Sequence, residues 1–450
     1  MMKYLPSSLV GIFTVTSLYA ANAARIAISD SWIPLVAAIL IGLFFTFLFS
    51  LNKWTAKGAP FIASIWTAIF LLWNLVSPIV SVAFLVMSIF VGVKFKTETA
   101  AKVIRVVCII AIMVSIVSAS WIKLSDLNFD LEARGGKFTI DPQGKPNIYF
   151  IVPDRMPSIL AMNESGIDTT DFQNQLEALG FYVKPDQISL DQYAGTGTEK
   201  VSSTRTMRFF ASVLNNGMNI DMQIPYKECK NLIQNPAIID TLHSQGYTFT
   251  NIETWFAETA GINADVKLKY TNPNLYDRIF TGEFNTAFWE RTIIAGLNLK
   301  KLMPHSIIIE SEIGRQEWQM ETLKEYSMKD GQNFVMAHIL LPHEPYVWTA
   351  DGQPQYAKLS NPELYIEQIK FARGYIVTLA QNIRKNDPTA IIIIQSDEGM
   401  AYRNLEEKQS LSPTQWNGVL TAWYIPNACL SCMVNLEHTG ILKYVLGIVK

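Results

Sequence analysis

The chain has 450 residues, of which 49% are apolar and only 17% charged, and its net charge at neutral pH is -2. That length holds one large domain and something besides. The near-neutral charge gives no support to nucleic-acid binding. The apolar excess is concentrated in the first quarter. Residues 5–24 form a mostly apolar run between Lys3 and Arg25, and residues 32–51 a second with no internal charge. Residues 60–76 and 78–93 are two more, split by Ser77-Pro78, and residues 106–122 are a fifth. A helix needs about 20 residues to cross a bilayer, so the long runs fit spans and the pair around Ser77-Pro78 fits a hairpin of short ones. Ala21-Asn22-Ala23 is a small-x-small site, which leaves a signal peptide open for the first run. Lys3, Lys53, Lys57, Lys94, Lys96, Lys102 and Arg105 all fall on one side of this arrangement. That side is cytoplasmic by the positive-inside rule, which puts everything after Lys123 outside and Trp121 in the outer aromatic belt.

The expected organisation is therefore a transmembrane domain over 1–124, a polar linker over 125–146 containing Gly135-Gly136, and an outer domain over 147–450. Residues 148–152, Ile-Tyr-Phe-Ile-Val, end at Pro153-Asp154 and read as a strand buried on both faces. Residues 168–179 have helical spacing and stop at Gly180, and residues 181–183 are strand-like. A helix is predicted over 198–215 and another over 237–244, followed by a strand over 247–252. Residues 334–341 and 390–394 are strands, 362–384 is a long amphipathic helix, and 419–425 a last strand. Residues 253–330 are hard to read and are taken as an insertion. Strands alternating with helices imply an α/β fold with a mostly parallel sheet between helical layers.

Three strand ends carry polar residues. Asp154 follows the first, Asp397 and Glu398 follow 390–394, and His338 and His343 lie in and just after 334–341. Ends of parallel strands meet on one edge of the sheet. Two Asp and a Glu gathered there repel each other unless a cation or protons neutralise them, and oxygen ligands suit a hard divalent ion. Asp154 by itself is equally a turn residue. The stretch 192–205, Q-Y-A-G-T-G-T-E-K-V-S-S-T-R, places Thr196 and Thr198 beside two glycines before a predicted helix. A hydroxyl there is either an N-cap or a nucleophile favoured by the helix dipole. His243 reads as a surface residue. Cys429 and Cys432, in C-L-S-C, read as a local disulfide in an oxidising compartment.

I-V-P-D-R, then Y-A-G-T, then A-H-I-L-L-P-H-E-P-Y, then I-I-I-I-Q-S-D-E-G, in this order, resemble the alkaline-phosphatase/sulfatase superfamily. More narrowly the chain is similar to membrane-anchored sulfatase-like proteins, among them lipoteichoic acid synthases and phosphoethanolamine transferases. The resemblance implies an alkaline-phosphatase-like sheet, about five spans and an outward catalytic domain. It implies metal ligands at Asp154, Thr196, Asp397 and Glu398, with Thr196 also the nucleophile, and substrate-binding residues at His343, His338 and Arg155. Tyr365 and Gln368 match a Y-x-x-Q helix of the group, read as a packing feature. Two departures stand out. Glu398 occupies the place of a histidine, which suits Mn, Mg or Ca better than Zn, and Arg155 sets a cation beside the site. The formylglycine motif C-x-P-x-R is absent; Cys229 lies in E-C-K-N-L.

The reading is a metal-dependent inner-membrane enzyme, its C-terminal domain on the outer face. It would move a phosphoethanolamine- or phosphoglycerol-type group from a membrane lipid to an envelope glycan or lipid. The alternatives are a phosphoester or sulfoester hydrolase of the same fold, and an envelope scaffold protein whose site has decayed.

Overall fold

The computed structural model describes residues 3–23, 28–95, 97–127, 145–189, 204–272, 278–279, 283–296, 305–329, 331–356, 362–400, 411–426 and 435–447. Contacts divide the chain into two compact units, residues 1–130 with 273–308, and residues 131–272 with 309–450. The expected insertion at 253–330 is therefore shared between them.

In the first unit the apolar runs form α1 (Leu5–Asn22), α2 (Trp32–Leu51), α3 (Ala59–Leu71), α4 (Pro78–Lys94) and α5 (Glu98–Leu127). Their burial is the inverse of that in a water-soluble bundle. Small and polar side chains point inward: Ser7, Gly11 and Thr14 on α1, and Ala38, Gly42 and Thr46 on α2. Large apolar ones point outward, including Phe44 and Phe47 on α2, Phe84 and Phe90 on α4, and Val107, Ile110 and Val117 on α5. That arrangement suits a lipid surround, where close backbone packing replaces the hydrophobic drive between helices. At Gly11 an added Cβ would sit 2.5 Å from the Ala38 carbonyl oxygen, so the α1–α2 crossing requires a glycine. Beside it the Ser7 hydroxyl donates to Gly42 O at 2.9 Å and lies 2.7 Å from the Thr46 hydroxyl. Among the described residues two helices are long and apolar enough to cross a membrane, Trp32–Leu51 and Glu98–Ile122, while α3 and α4 are shorter. Two short helices, Glu283–Arg291 and Ile293–Gly296, belong to this unit as well.

The second unit is built on a seven-stranded sheet. Its strands are β1 (Ile148–Pro153), β2 (Tyr182–Val183), β3 (Thr248–Ile252), β4 (Val266–Leu268), β5 (Asn333–Ile339), β6 (Ile391–Gln395) and β7 (Thr421–Tyr424), in the order β2-β7-β6-β1-β5-β3-β4. Only β7 runs against the others. β1 is central, with Ile148 opposite both Phe334 and Ile391, and Val152 opposite His338. Its six residues are all buried because both faces are covered. Tyr149 and Ile151 pack with the helix Pro362–Asn386, and Ile148, Phe150 and Val152 pack with the helix Arg205–Val213. Fully burying such side chains stabilises by about 1.5–3 kcal/mol each, so the centre of the sheet is the rigid part of the unit.

The sequence-derived elements recur here with one consequential shift. The helix predicted from Thr198 begins at Arg205, and its N-cap is Thr204, whose side chain accepts from Met207 N. Within the hard-to-read stretch lie β4 and the helix His305–Tyr326.

Candidate active site

β1, β5 and β6 are adjacent and parallel, so their carboxyl ends bring Asp154, His338 and Asp397 to one crevice, as open α/β sheets do. All three are buried. One ligand atom from each lies within 4.8 Å of the others.

Asp154 follows Pro153, and its N–H donates to Ile339 O at 2.8 Å, which extends the β1–β5 ladder by one bond. Arg155 then turns the chain with φ at +64°, a left-handed conformation that costs a side-chain-bearing residue about 1–2 kcal/mol. Three contacts hold it there. Its N–H donates to Asp397 Oδ1 at 3.2 Å, its carbonyl accepts from the Tyr365 hydroxyl at 2.5 Å, and its Nε donates to Glu398 Oε1 at 2.7 Å. Tyr365, read from sequence as packing, is thus a brace for the site. Glu398 is engaged with Arg155, whose Nε is also 3.9 Å from Asp154 Oδ1.

His338 is enclosed. Its Nδ1 is 3.1 Å from Thr259 Oγ1, and the Thr259 hydroxyl donates onward to Phe256 O at 3.3 Å. With that hydroxyl directed to Phe256 O, Thr259 accepts from Nδ1–H, the tautomer whose Nε2 lone pair faces Asp154 Oδ2 at 3.5 Å. Among the described residues neither His338 Nε2 nor Asp154 Oδ1 has a hydrogen-bond partner. Buried acceptors left in this state, in a nest of carboxylates, are what a cation would satisfy. Two carboxylate oxygens and an imidazole nitrogen fit a divalent ion of the Zn or Mn type.

The charges agree. Burial pushes Asp154 up to about 8, with Glu398 adding repulsion against the pull of Arg155. Burial, then Asp154 and Glu398, push Asp397 up to about 7. Burial also raises Glu398, but the Arg155 and Arg205 guanidinium groups overcome it and hold that carboxyl below its ordinary value. Burial takes His338 down to about 4, so its imidazole is neutral at pH 7.

Two threonines escaped the sequence reading. Thr206, in the first turn of the helix Arg205–Val213, donates from Oγ1 to Asp397 Oδ2 at 2.5 Å and is buried. It sits one residue past the stretch singled out above. Thr259 had no signal, because its role depends on a contact across 79 residues of sequence. Thr196 and Thr198 lie outside the described residues, as do Cys429 and Cys432.

His343 lies in a loop between two prolines, half-buried. Gln368 organises that loop: its Nε2 donates to His343 O at 2.9 Å and Pro342 O at 3.1 Å, and its Oε1 accepts from Val347 N at 2.6 Å. Burial, then the Arg155 charge, take His343 down to about 3. Its neutral ring donates from Nδ1 to Glu344 O at 2.5 Å, leaving Nε2 as an acceptor. Trp255 stands edge-on to it, with ring centroids 5.7 Å apart. His243 is on the surface as expected, its Nε2 at 3.0 Å from Asp265.

No protein-family model matches the chain, and no curated protein does. Among solved structures it is similar to the integral membrane lipooligosaccharide phosphoethanolamine transferase A of Neisseria meningitidis, at 13% identity and a TM-score of 0.42, over 99% of this chain and 94% of that one. It is similar to the C-terminal periplasmic domain of a phosphoethanolamine transferase of Campylobacter jejuni, at 12% identity and a TM-score of 0.39, over 67% and 87% of the two chains. A lipoteichoic acid synthase of Listeria monocytogenes aligns at 10% identity and a TM-score of 0.37, over 70% of this chain and 80% of that one.

Proposed function

We propose that this chain is a multi-pass membrane enzyme that moves a phospho-alcohol group from a membrane lipid to an envelope glycan or lipid through a threonine hydroxyl. The observation that carries the reading is the juxtaposition at Asp397. One of its oxygens accepts from the Thr206 hydroxyl, and the residue belongs to the buried Asp154–His338–Asp397 cluster. A divalent ion held by those three residues would supply Lewis acidity to a phosphoryl oxygen and favour ionisation of the neighbouring hydroxyl.

The protein's own groups do the rest. Asp397 holds the Thr206 proton and orients Oγ1 towards the crevice. Thr206 Oγ1 gives its proton to Asp397 and attacks phosphorus, the bond from phosphorus to the lipid alcohol breaks, the departing alkoxide takes the proton back from Asp397, and a phosphothreonine results. The acceptor's hydroxyl then displaces the threonine oxygen, its proton passing through Asp397 to Thr206 Oγ1. Arg155 is anchored to Glu398 through Nε, which leaves its two terminal nitrogens for phosphoryl oxygens. His343 Nε2, an acceptor, is suited to take a hydrogen bond from the hydroxyl of the incoming acceptor group. Thr196 remains the second candidate for the hydroxyl, from its motif. The N-terminal helices, with Lys3, Lys53, Lys57 and Lys94 at one end, would hold the site on the outer face of the inner membrane.

The test is incubation of the full chain with a phospholipid labelled in its head-group phosphate, followed by mapping of covalent label. Label on Thr206, lost in Thr206→Ala and Asp397→Asn and kept in Thr196→Ala, supports the reading. Label on Thr196 moves the nucleophile there. Phosphate release without transfer to any added glycan or lipid makes the protein a hydrolase. The Arg155–Glu398 pair favours one other reading, a scaffold protein. Absence of both label and bound metal would favour it.

A further inference from the structure

The short helices Glu283–Arg291 and Ile293–Gly296 come after α5 in the chain, yet pack with the first unit. Phe284, Phe288 and Trp289 are 2%, 1% and 7% exposed, in one cluster with Val15, Leu18, Ala38 and Leu71. Tyr19 meets Phe284 edge-on, with ring centroids 6.3 Å apart. Polar contacts set the register: the Asn74 side chain donates to Glu290 O at 2.5 Å, and Trp289 Nε1 donates to Ile279 O at 2.8 Å. Thr292 makes the bend between the helices, donating from Oγ1 to Trp289 O and accepting from Ile294 N.

The place of docking is informative. Val15, Leu18 and Tyr19 are in the last turns of α1, Ala38 is in the second turn of α2, and Leu71 ends α3. Lys3, Lys53 and Lys57 lie at the opposite ends of these helices. The segment therefore covers the end of the bundle that the charge rule assigns to the outside. It can do so only if the chain beyond α5 lies at that end of the bundle, as an odd number of spans requires. Buried aromatic side chains with satisfied polar atoms are the usual furniture of a membrane–water interface.

We propose that residues 283–296 are an interfacial plug: a second attachment of the post-α5 chain to its own membrane helices, made by apolar packing rather than covalent continuity. The inference shares the membrane reading above and is independent of the phosphotransfer chemistry. A specific protease site inserted between Gly135 and Gly136 of the full chain, in native membranes, tests it. After cutting, the C-terminal fragment is expected to stay with the membranes through a high-salt wash. Phe284→Ala/Phe288→Ala/Trp289→Ala should lose it to the wash, while the same variant sediments with membranes before cutting. A second readout does not depend on that variant's folding. Cysteines at Asn74 and Glu290 should join the two fragments on a gel when treated with a short bifunctional thiol reagent. Release of the unmutated fragment overturns the proposal. So does retention of the triple variant's fragment, or no cross-link between positions 74 and 290.

Discussion

The stability of the second unit should respond to pH and metal in a way that the buried site dictates. In the metal-free state Asp154 and Asp397 have folded values of about 8 and about 7, against 3.8 unfolded. Groups raised in this way contribute stability at low pH that is lost as pH climbs through the folded values. Three histidines act in the opposite sense. His338 is near 4, and His343 and His438 near 3, against 6.5 unfolded, so their contribution is present above 6.5 and lost as pH falls. Each proton of difference is worth about 1.4 kcal/mol per pH unit. Below 6.5 the three histidines outweigh the two aspartates by one proton, and stability rises with pH. From 6.5 to 7 two aspartate protons are at stake, and from 7 to 8 one, so stability falls by about 3 kcal/mol over that interval. The metal-free protein should be most stable near pH 6.5 and should melt about 5–10 °C lower at pH 8. A bound cation displaces the aspartate protons and removes the alkaline fall. The assay is thermal unfolding of the full chain in micelles, followed by tryptophan fluorescence, after chelation and after reloading with Mn, Mg or Zn. Parallel curves for the two states from pH 6.5 to 8 would refute the reasoning, because the cation would then not be reaching these carboxylates.

Glu398→Gln should cost about 1–3 kcal/mol by removing the charge opposite Arg155. Because the Glu398 carboxyl is held below its ordinary value, that cost should be present above pH 4.5 and fade below it, which a denaturant midpoint at pH 7 and pH 4 checks. Gln368→Ala strips the His343 loop of its anchor at both ends and should cost about 2–4 kcal/mol. Its kcat should fall while bound metal is unchanged; loss of the metal would show that the loop supports the cluster as well. Trp423→Ala, in a fully buried site on β7, should lower stability by about 3–5 kcal/mol in chemical denaturation and leave metal affinity as it was.

What the sequence disclosed and what it hid divide along a physical line. β1 and β6 were legible because a strand covered on both faces is apolar throughout, as Ile148–Val152 and Ile391–Ile394 are. The polar residue that ends each run then marks the crevice, which is how Asp154 and Asp397 could be named. The partners were not legible. Thr206 and Thr259 act through contacts between distant segments, and nothing in their neighbours distinguishes them from caps or core; Tyr365 stood out only as part of a Y-x-x-Q pattern, which did not disclose its bond to Arg155 O. Glu398 could be placed at the site by its position after Asp397. That its carboxylate faces Arg155 follows from the left-handed turn at Arg155, a conformation that a non-glycine residue does not advertise. The segment 283–296 was opaque for a related reason. Its apolar residues are too few to read as a span, and its partners lie more than 200 residues earlier in the chain.

The enclosure of His338 has a consequence for how an ion would come and go. The ring is wedged edge-on between Phe210, at 4.8 Å, and Phe256, at 5.6 Å. On its other side Nδ1 meets the Thr259 hydroxyl at 3.1 Å. The nitrogen offered to a metal is thus aligned in advance, and loading requires little rearrangement. Yet the group behind it is a neutral hydroxyl, where metal-binding histidines commonly lean on a carboxylate that strengthens them as donors. A ligand that is rigid but only moderately basic makes for quick capture and ready exchange. The protein's working ion would then be set by which divalent metal its compartment supplies, more than by any preference of its own.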